Sequence, residues 1–228
     1  MPARRYETRD VILRMHLVAS DSLLLLVDIG LAGAALALGL WLRPWRTLGT
    51  GGPPWPWLVA WAVTPLLWSM DGHDAMPLAQ PMSVAPLLVL LAGWPLAVVA
   101  LVAAAAITLL MGQGHWTDGL DRLVWLGVVP ATLALGIGAA VRRFFPAHLF
   151  VYIFGRGFFG TLAALTIAGV VALVVHPLPA GTALGDLVVA KVLFAFGESF
   201  LTGMVIAIFV ACRPGWLATY SDRLYLPP

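Results

Sequence analysis

Sulfur chemistry and formal charge are both scarce in this chain. It holds a single cysteine, Cys212, so neither a disulfide frame nor a CxxC metal or redox motif can form, and Cys212 reads as a packing residue at the end of the last apolar run. Only 11% of residues are charged. Thirteen Lys and Arg against eleven Asp and Glu leave a net charge of +2, too small to suggest a nucleic-acid partner. The P-loop, HExxH, GxSxG and GxGxxG patterns are missing as well. No nucleophile and base stand in a recognisable pair, so the chain does not read as an enzyme, and ATP-driven work would fall to a partner chain. A cleavable signal peptide is not evident either, because the first apolar run is too long for one and ends in Leu42-Arg43-Pro44 without a small-residue cleavage site.

What is abundant is apolar surface. Hydrophobic residues make up 61% of the chain and the mean hydropathy is +0.94, which places it in the polytopic membrane class with the lipid bilayer as solvent. The stretch from Pro81 to Met111 is apolar except for Gly93-Trp94-Pro95. As one helix it would be about 45 Å long, too long for one upright span of a ~30 Å core. Gly93 is a natural helix end and Pro95 lacks a backbone donor, so the run divides there into two antiparallel spans.

The rest of the chain follows that division. Residues 1–20 form a polar and basic N-terminal segment, residues 21–213 a single transmembrane domain, and residues 214–228 an interfacial tail with Trp216, Tyr220 and Tyr225 at headgroup depth. The spans are expected near Ser22–Leu42, Pro54–Met70, Pro81–Gly93, Pro95–Met111, Leu123–Val141, Leu149–His176 and Leu184–Cys212. Trp55, Trp57, Trp61 and Trp68 fit interfacial anchoring. The expected fold is thus all-α, a bundle of seven spans with the N-terminus outside and the C-terminus cytoplasmic. Its inner loops then hold Arg43, Arg46, Arg142, Arg143, Arg213 and Arg223, against Arg122 alone in the outer loops between spans. Arg4, Arg5, Arg9 and Arg14 are the exception, which a start at Met15 would remove. Six spans with the N-terminus inside is the alternative, and it moves Arg43 and Arg46 outward.

In the seven-span arrangement His16, Asp71, His73, Asp74, His115 and Asp118 share the outer side. Imidazole and carboxylate suit Ni²⁺, Co²⁺ or Zn²⁺, while Met15, Met70, Met76 and Met82 would add thioethers suited to Cu⁺. The same residues serve equally as a solvated loop with packed methionines. Within the spans lie Asp28, Arg156, Lys191 and Glu198, where an unpaired charge costs several kcal/mol. By depth, Asp28 pairs with Lys191 and Glu198 with Arg156. Such pairs either hold the bundle together or form a gate or proton relay. Gly155, Gly157 and Gly160, and Ala103 to Ala106, permit close helix contact. His148 and His176, at opposite ends of one span, have interfacial roles by default.

Several stretches together resemble a family. Met15-His16, PMSVAPLLVLLAGWPLAVVALVAAAAITLLMGQGHWTDGL, VVPATLALGIGAAVRR and FGESFLTGMVIAIF occur in the order seen in the CbiM/NikM-type membrane subunits of energy-coupling factor transporters. The tail RPGWLATYSDRLYL resembles that of CbiM-like permeases. The matching motif positions are Ser83, Glu198, Thr202 and Gly203. The resemblance implies a seven-span substrate-capture subunit of a bacterial inner membrane. Such a subunit takes Co²⁺ or Ni²⁺ from the outer face and works with a transmembrane coupling subunit and ATPase subunits. Family members bind the ion through the amine of an initiator Met, the following His, and a His two positions after the Ser. Those positions are Met15, His16 and Ala85 here, and Ala85 has no donor atom. The alternative is a non-transporting scaffold or assembly subunit of another membrane complex that has kept the fold.

Overall fold

The computed structural model describes residues 3–46, 52–70, 80–112, 115–178, 181–221 and 225, and for residues 3–21 and 46 the backbone alone. Among these residues all regular structure is helical. The helices in chain order are α1 (Ala3–Trp41), α2 (Trp55–Ser69), α3 (Ala85–Ala92), α4 (Trp94–Leu110), α5 (Trp116–Phe144), α6 (Val151–Val175) and α7 (Leu184–Cys212). Four are long and apolar enough to cross a membrane: the Ser22–Trp41 part of α1, and α5, α6 and α7. A bilayer is therefore the environment this surface requires. Its many exposed large apolar side chains, among them Leu26, Leu193 and Phe200, face outward without cover.

Between these long helices lie three shorter ones, and backbone chemistry sets their lengths. Gly93 adopts a φ of 83°, ends α3 by donating its N–H to Val89 O at 2.9 Å, and starts α4 by accepting from Ala97 N. The Gly-Trp-Pro break is a turn and not a kink. Trp68 Nε1 donates to Met82 O beside α3, and the position of Cβ on Gly127 falls near both the Trp68 ring and Leu101 of α4. The chain before α3 therefore runs back alongside α4.

The expected third span differs from what the sequence suggested. Only Ala85–Ala92 is helical, about 12 Å of rise, which is less than half of a hydrocarbon core. Residues 80–84 have no regular structure. Val84, with φ at 59°, turns the chain sharply into α3, and Pro86 occupies the first turn, where its missing N–H costs nothing. Non-helical backbone in an apolar surrounding is tolerated where it is buried in protein or lines a cavity, and Ser83 and Val84 are both buried. Trp57 and Trp68 are likewise core residues, Trp68 fully enclosed, and not interfacial anchors.

Contacts between helix ends sort the bundle into two ends. Gly39 of α1 abuts Pro95 at the start of α4. Ala218 N donates to Leu91 O at the close of α3, and Trp55 meets Trp216 edge-on at 5.5 Å. This end carries Arg43, Arg142, Arg143 and Arg213. The end of α6, the starts of α5 and α7, and the close of α2 lie at the other. Small residues bring α6 and α7 together, Gly157 of the expected close-contact run among them. A Cβ on Gly203 would lie 3.2 Å from the Phe158 Cβ, and one on Gly157 3.4 Å from Ile206 Cγ2.

Candidate metal centre

At the end opposite Arg43, Arg142, Arg143 and Arg213, Asp28 of α1, Asp121 of α5 and His176, the residue that caps α6, converge. One donor atom from each lies within 4.8 Å of the other two. The residue after a helix faces orphaned carbonyls, and His176 uses one: its Nδ1 lies 2.9 Å from Ala172 O. A carbonyl only accepts, so Nδ1 carries the proton. Nε2 is thereby turned toward Asp121 Oδ1 at 2.8 Å. That carboxylate oxygen is buried and receives no hydrogen bond from a neutral imidazole in this tautomer. Two lone pairs thus face each other unless a second proton or a cation stands between them.

Trp125 fixes the other side of the cluster. Its indole N–H donates to Asp28 Oδ1 at 3.1 Å, and its ring stands edge-on to the His176 ring at 5.4 Å. It lies in the π-helical stretch Leu123–Val128 of α5, whose extra residue per turn shifts side chains relative to a regular helix. Anchoring of a histidine's other nitrogen on a carbonyl, with a second group orienting a carboxylate, is the outer-shell arrangement that metal ligands use. The Asp121 carboxylate, which accepts from Nε2 once the ring is protonated, raises the His176 pKa above its ordinary value of 6.5, and burial opposes that rise.

Charge counting describes what the cluster accommodates. Two carboxylates with one neutral imidazole carry −2, which a divalent cation, two protons or the neighbouring Arg122 and Lys191 side chains would offset. A cavity of about 410 Å³ adjoins it, lined by Asp118, Asp121, Trp125, His176, Lys191 and Gln80 among others. The Lys191 stem packs over Gly169 on its wall. Gln80, Pro81 and Lys191 also line a narrower cleft that ends at Glu198.

Glu198 of α7 is the second polar centre. Its two carboxylate oxygens accept the backbone N–H groups of Ser83 and Val84 at 2.8 and 2.7 Å. These are the amides of the non-helical segment where α3 begins, and no side chain within α3 caps them. The Ser83 hydroxyl donates to Leu126 O, in the same π-helical stretch as Trp125. The expected Glu198–Arg156 pair is therefore not formed. Arg156 instead donates from Nη1 to Thr219 O at 3.2 Å and lies 5.5 Å from the Tyr152 ring. Asp28, expected opposite Lys191, takes its hydrogen bond from Trp125.

Of the residues predicted to hold metal, His115 lies outside the cluster: it is exposed and caps the start of α5, donating its N–H to Asp118 Oδ2 at 2.9 Å. His16 is on α1 with its side chain outside the described residues, as are Asp71, His73 and Asp74 entirely. Ala85 is wholly buried in the core. Of the motif positions, Ser83 and Glu198 bond to each other through a backbone amide, and Thr202 and Gly203 are buried where α7 packs.

The chain matches no family model, no curated protein and no solved structure. The cluster itself is what its function must be read from. Asp121 and His176 were missed as a pair because they lie far apart in sequence. The available signal was that positive-inside counting puts both on the same side of the membrane, near Asp28.

Proposed function

We propose that this chain is the ion-capturing permease subunit of a transporter for a divalent transition-metal ion, with Asp28, Asp121 and His176 among the ligands. The observation that carries the reading is the His176 geometry: Nδ1 lies 2.9 Å from Ala172 O, which turns Nε2 toward two carboxylates within 4.8 Å. Metal bonds of about 2.1 Å to nitrogen and oxygen span such a cluster with small side-chain adjustments. The three donors include no sulfur, which favours Co²⁺, Ni²⁺ or Zn²⁺ over Cu⁺. As the ion enters, it displaces the protons that otherwise neutralise the site, so uptake is coupled to proton release.

In this proposal the chain crosses the membrane seven times, with the N-terminus and the metal cluster on the outer side and the arginine end on the cytoplasmic side. The third crossing is half non-helical chain and half α3, the broken form that membrane transporters use around their sites. Gln80, Pro81 and Lys191 line the way from the outer cavity to Glu198, which closes the inner half. A coupling subunit and ATPases, as in the CbiM/NikM-type systems that the sequence resembles, supply the drive. The test is Co²⁺ titration of the detergent-purified protein, read by the visible ligand-field absorption of the bound ion. Saturable binding to one site, lost in Asp121→Asn and in His176→Gln, is expected; equal binding by both variants and the wild type overturns the assignment.

A further inference from the structure

A second polar cavity, of about 330 Å³, lies at the arginine end, where α5, α6 and the C-terminal tail meet; it is independent of the metal cluster. Gly138, Arg142, Arg156, Thr219, Tyr220 and Ser221 are among its lining residues. Arg156 belongs to the membrane-spanning α6, in its π-helical stretch Val151–Phe159. An arginine at such depth is costly unless it meets protein partners, water or a ligand.

The guanidinium has five N–H donors, and its acceptors here are few. Nη1 bonds to Thr219 O, and the Tyr152 ring lies beside the charge. Nε is buried without a hydrogen-bond partner. Among the described residues no carboxylate lines the cavity. The fit is nevertheless a built one, because Gly138 leaves its backbone bare where the guanidinium lies: a Cβ there would come within 2.9 Å of Arg156 Nε. Arg142 is one turn further along α5 from Gly138, on the same face and exposed, and adds a second guanidinium at the mouth. Ser221 and the tail backbone supply further hydrogen-bonding groups.

Two arginines with spare donors, hydroxyl-bearing neighbours and no acid among the described lining residues form a receptor for a phosphate group, whose oxygens match the planar guanidinium fork. We propose that this cavity binds a phosphate group, either the headgroup of an anionic phospholipid or free phosphate. The position favours the headgroup, since α5 ends at Phe144 beside the cavity and α6 begins at Val151, at the edge of the apolar span.

The experiment measures retention of phosphatidylglycerol and of phosphatidylcholine by native mass spectrometry of the purified protein, with inorganic phosphate added as competitor. Wild type and the variants Arg142→Gln and Gly138→Ala are compared. Arg142 is exposed, so its replacement tests the site without disturbing the core. Saturable phosphatidylglycerol binding, weakened about tenfold in Arg142→Gln and unaffected by phosphate, identifies a lipid headgroup. Displacement of that lipid by millimolar phosphate, with direct phosphate binding that Arg142→Gln weakens, identifies free phosphate. Equal retention of both lipids with no phosphate binding, or identical binding by the wild type and both variants, overturns the proposal.

Discussion

Replacing Glu198 by Gln changes one atom of the side chain and tests how the half-helix is held. In the wild type both carboxylate oxygens accept, one from Ser83 N and one from Val84 N. A hydrogen bond contributes about 0.5–1.5 kcal/mol net, and more where the acceptor is charged. The glutamine amide offers one oxygen, so one of the two bonds survives in weaker, neutral form. Its NH₂ then faces the other backbone N–H, and leaving that buried donor unpaired costs about 1–3 kcal/mol. The segment has little slack to escape this, because Val84 is held in the left-handed region, itself unfavourable by about 1–2 kcal/mol for a side-chain-bearing residue. The net loss is about 2–4 kcal/mol. For a chain of this size that lowers the unfolding midpoint by roughly 10 °C, read from tryptophan fluorescence during heating in detergent. Hydrogen exchange at the Ser83 and Val84 amides should accelerate at the same time. A midpoint within about 1 °C of the wild type, with exchange unchanged, would refute the claim that Glu198 caps the start of α3.

Other consequences follow from the same geometry. Trp125→Phe keeps the ring beside His176 but removes the donor to Asp28, and should weaken Co²⁺ binding about 10–100-fold in the absorption titration. The His176 pair sets a pH dependence. Its folded pKa lies above the ordinary 6.5, so its contribution to stability is fully present below about pH 6.5 and lost as pH rises through the raised folded value. Melting curves of the metal-free protein from about pH 5.5 to 9 should show this loss; Asp121→Asn should flatten it and return the His176 ring titration toward the ordinary value by NMR. Gly203→Ala pushes a Cβ to 3.2 Å from that of Phe158 and should destabilise by about 1–3 kcal/mol. Gly33→Ala meets nothing within 4 Å and should be neutral or stabilising by up to about 1 kcal/mol in the same thermal assay.

Some of this was readable in the residues alone. Glycine and proline announced the turn at Gly93, since a positive φ and a missing N–H are local properties. Gly157 was legible as a small residue that permits close helix contact, but its partner on α7 was not. The half-length of α3 was not readable, because an apolar run has the same composition whether it is helix or buried non-helical chain. The device that makes the difference is a carboxylate on α7, 115 residues away from Ser83. Trp57 and Trp68 carry no sequence mark that separates a buried indole from an interfacial one. His176 looked interfacial because it ends a span. Its role depends on Asp28 and Asp121 arriving from two other helices, and on Trp125 being turned by a π-helical stretch to orient them. The Glu198–Arg156 pairing failed for a related reason: depth along a helix was legible, but the backbone groups that compete for these two side chains were not.

The most direct test of the account is metal content by elemental mass spectrometry, made in parallel on gently purified wild type, Asp121→Asn and His176→Gln, with copurifying proteins identified from the same samples. The account predicts about one Co, Ni or Zn per wild-type chain, near-complete loss in both variants at unchanged yield, and ATPase subunits in the wild-type sample. Wild-type protein that takes up no transition metal even when supplied with it, or variants that retain the wild-type amount, would contradict the assignment of Asp28, Asp121 and His176 as an ion-capture site.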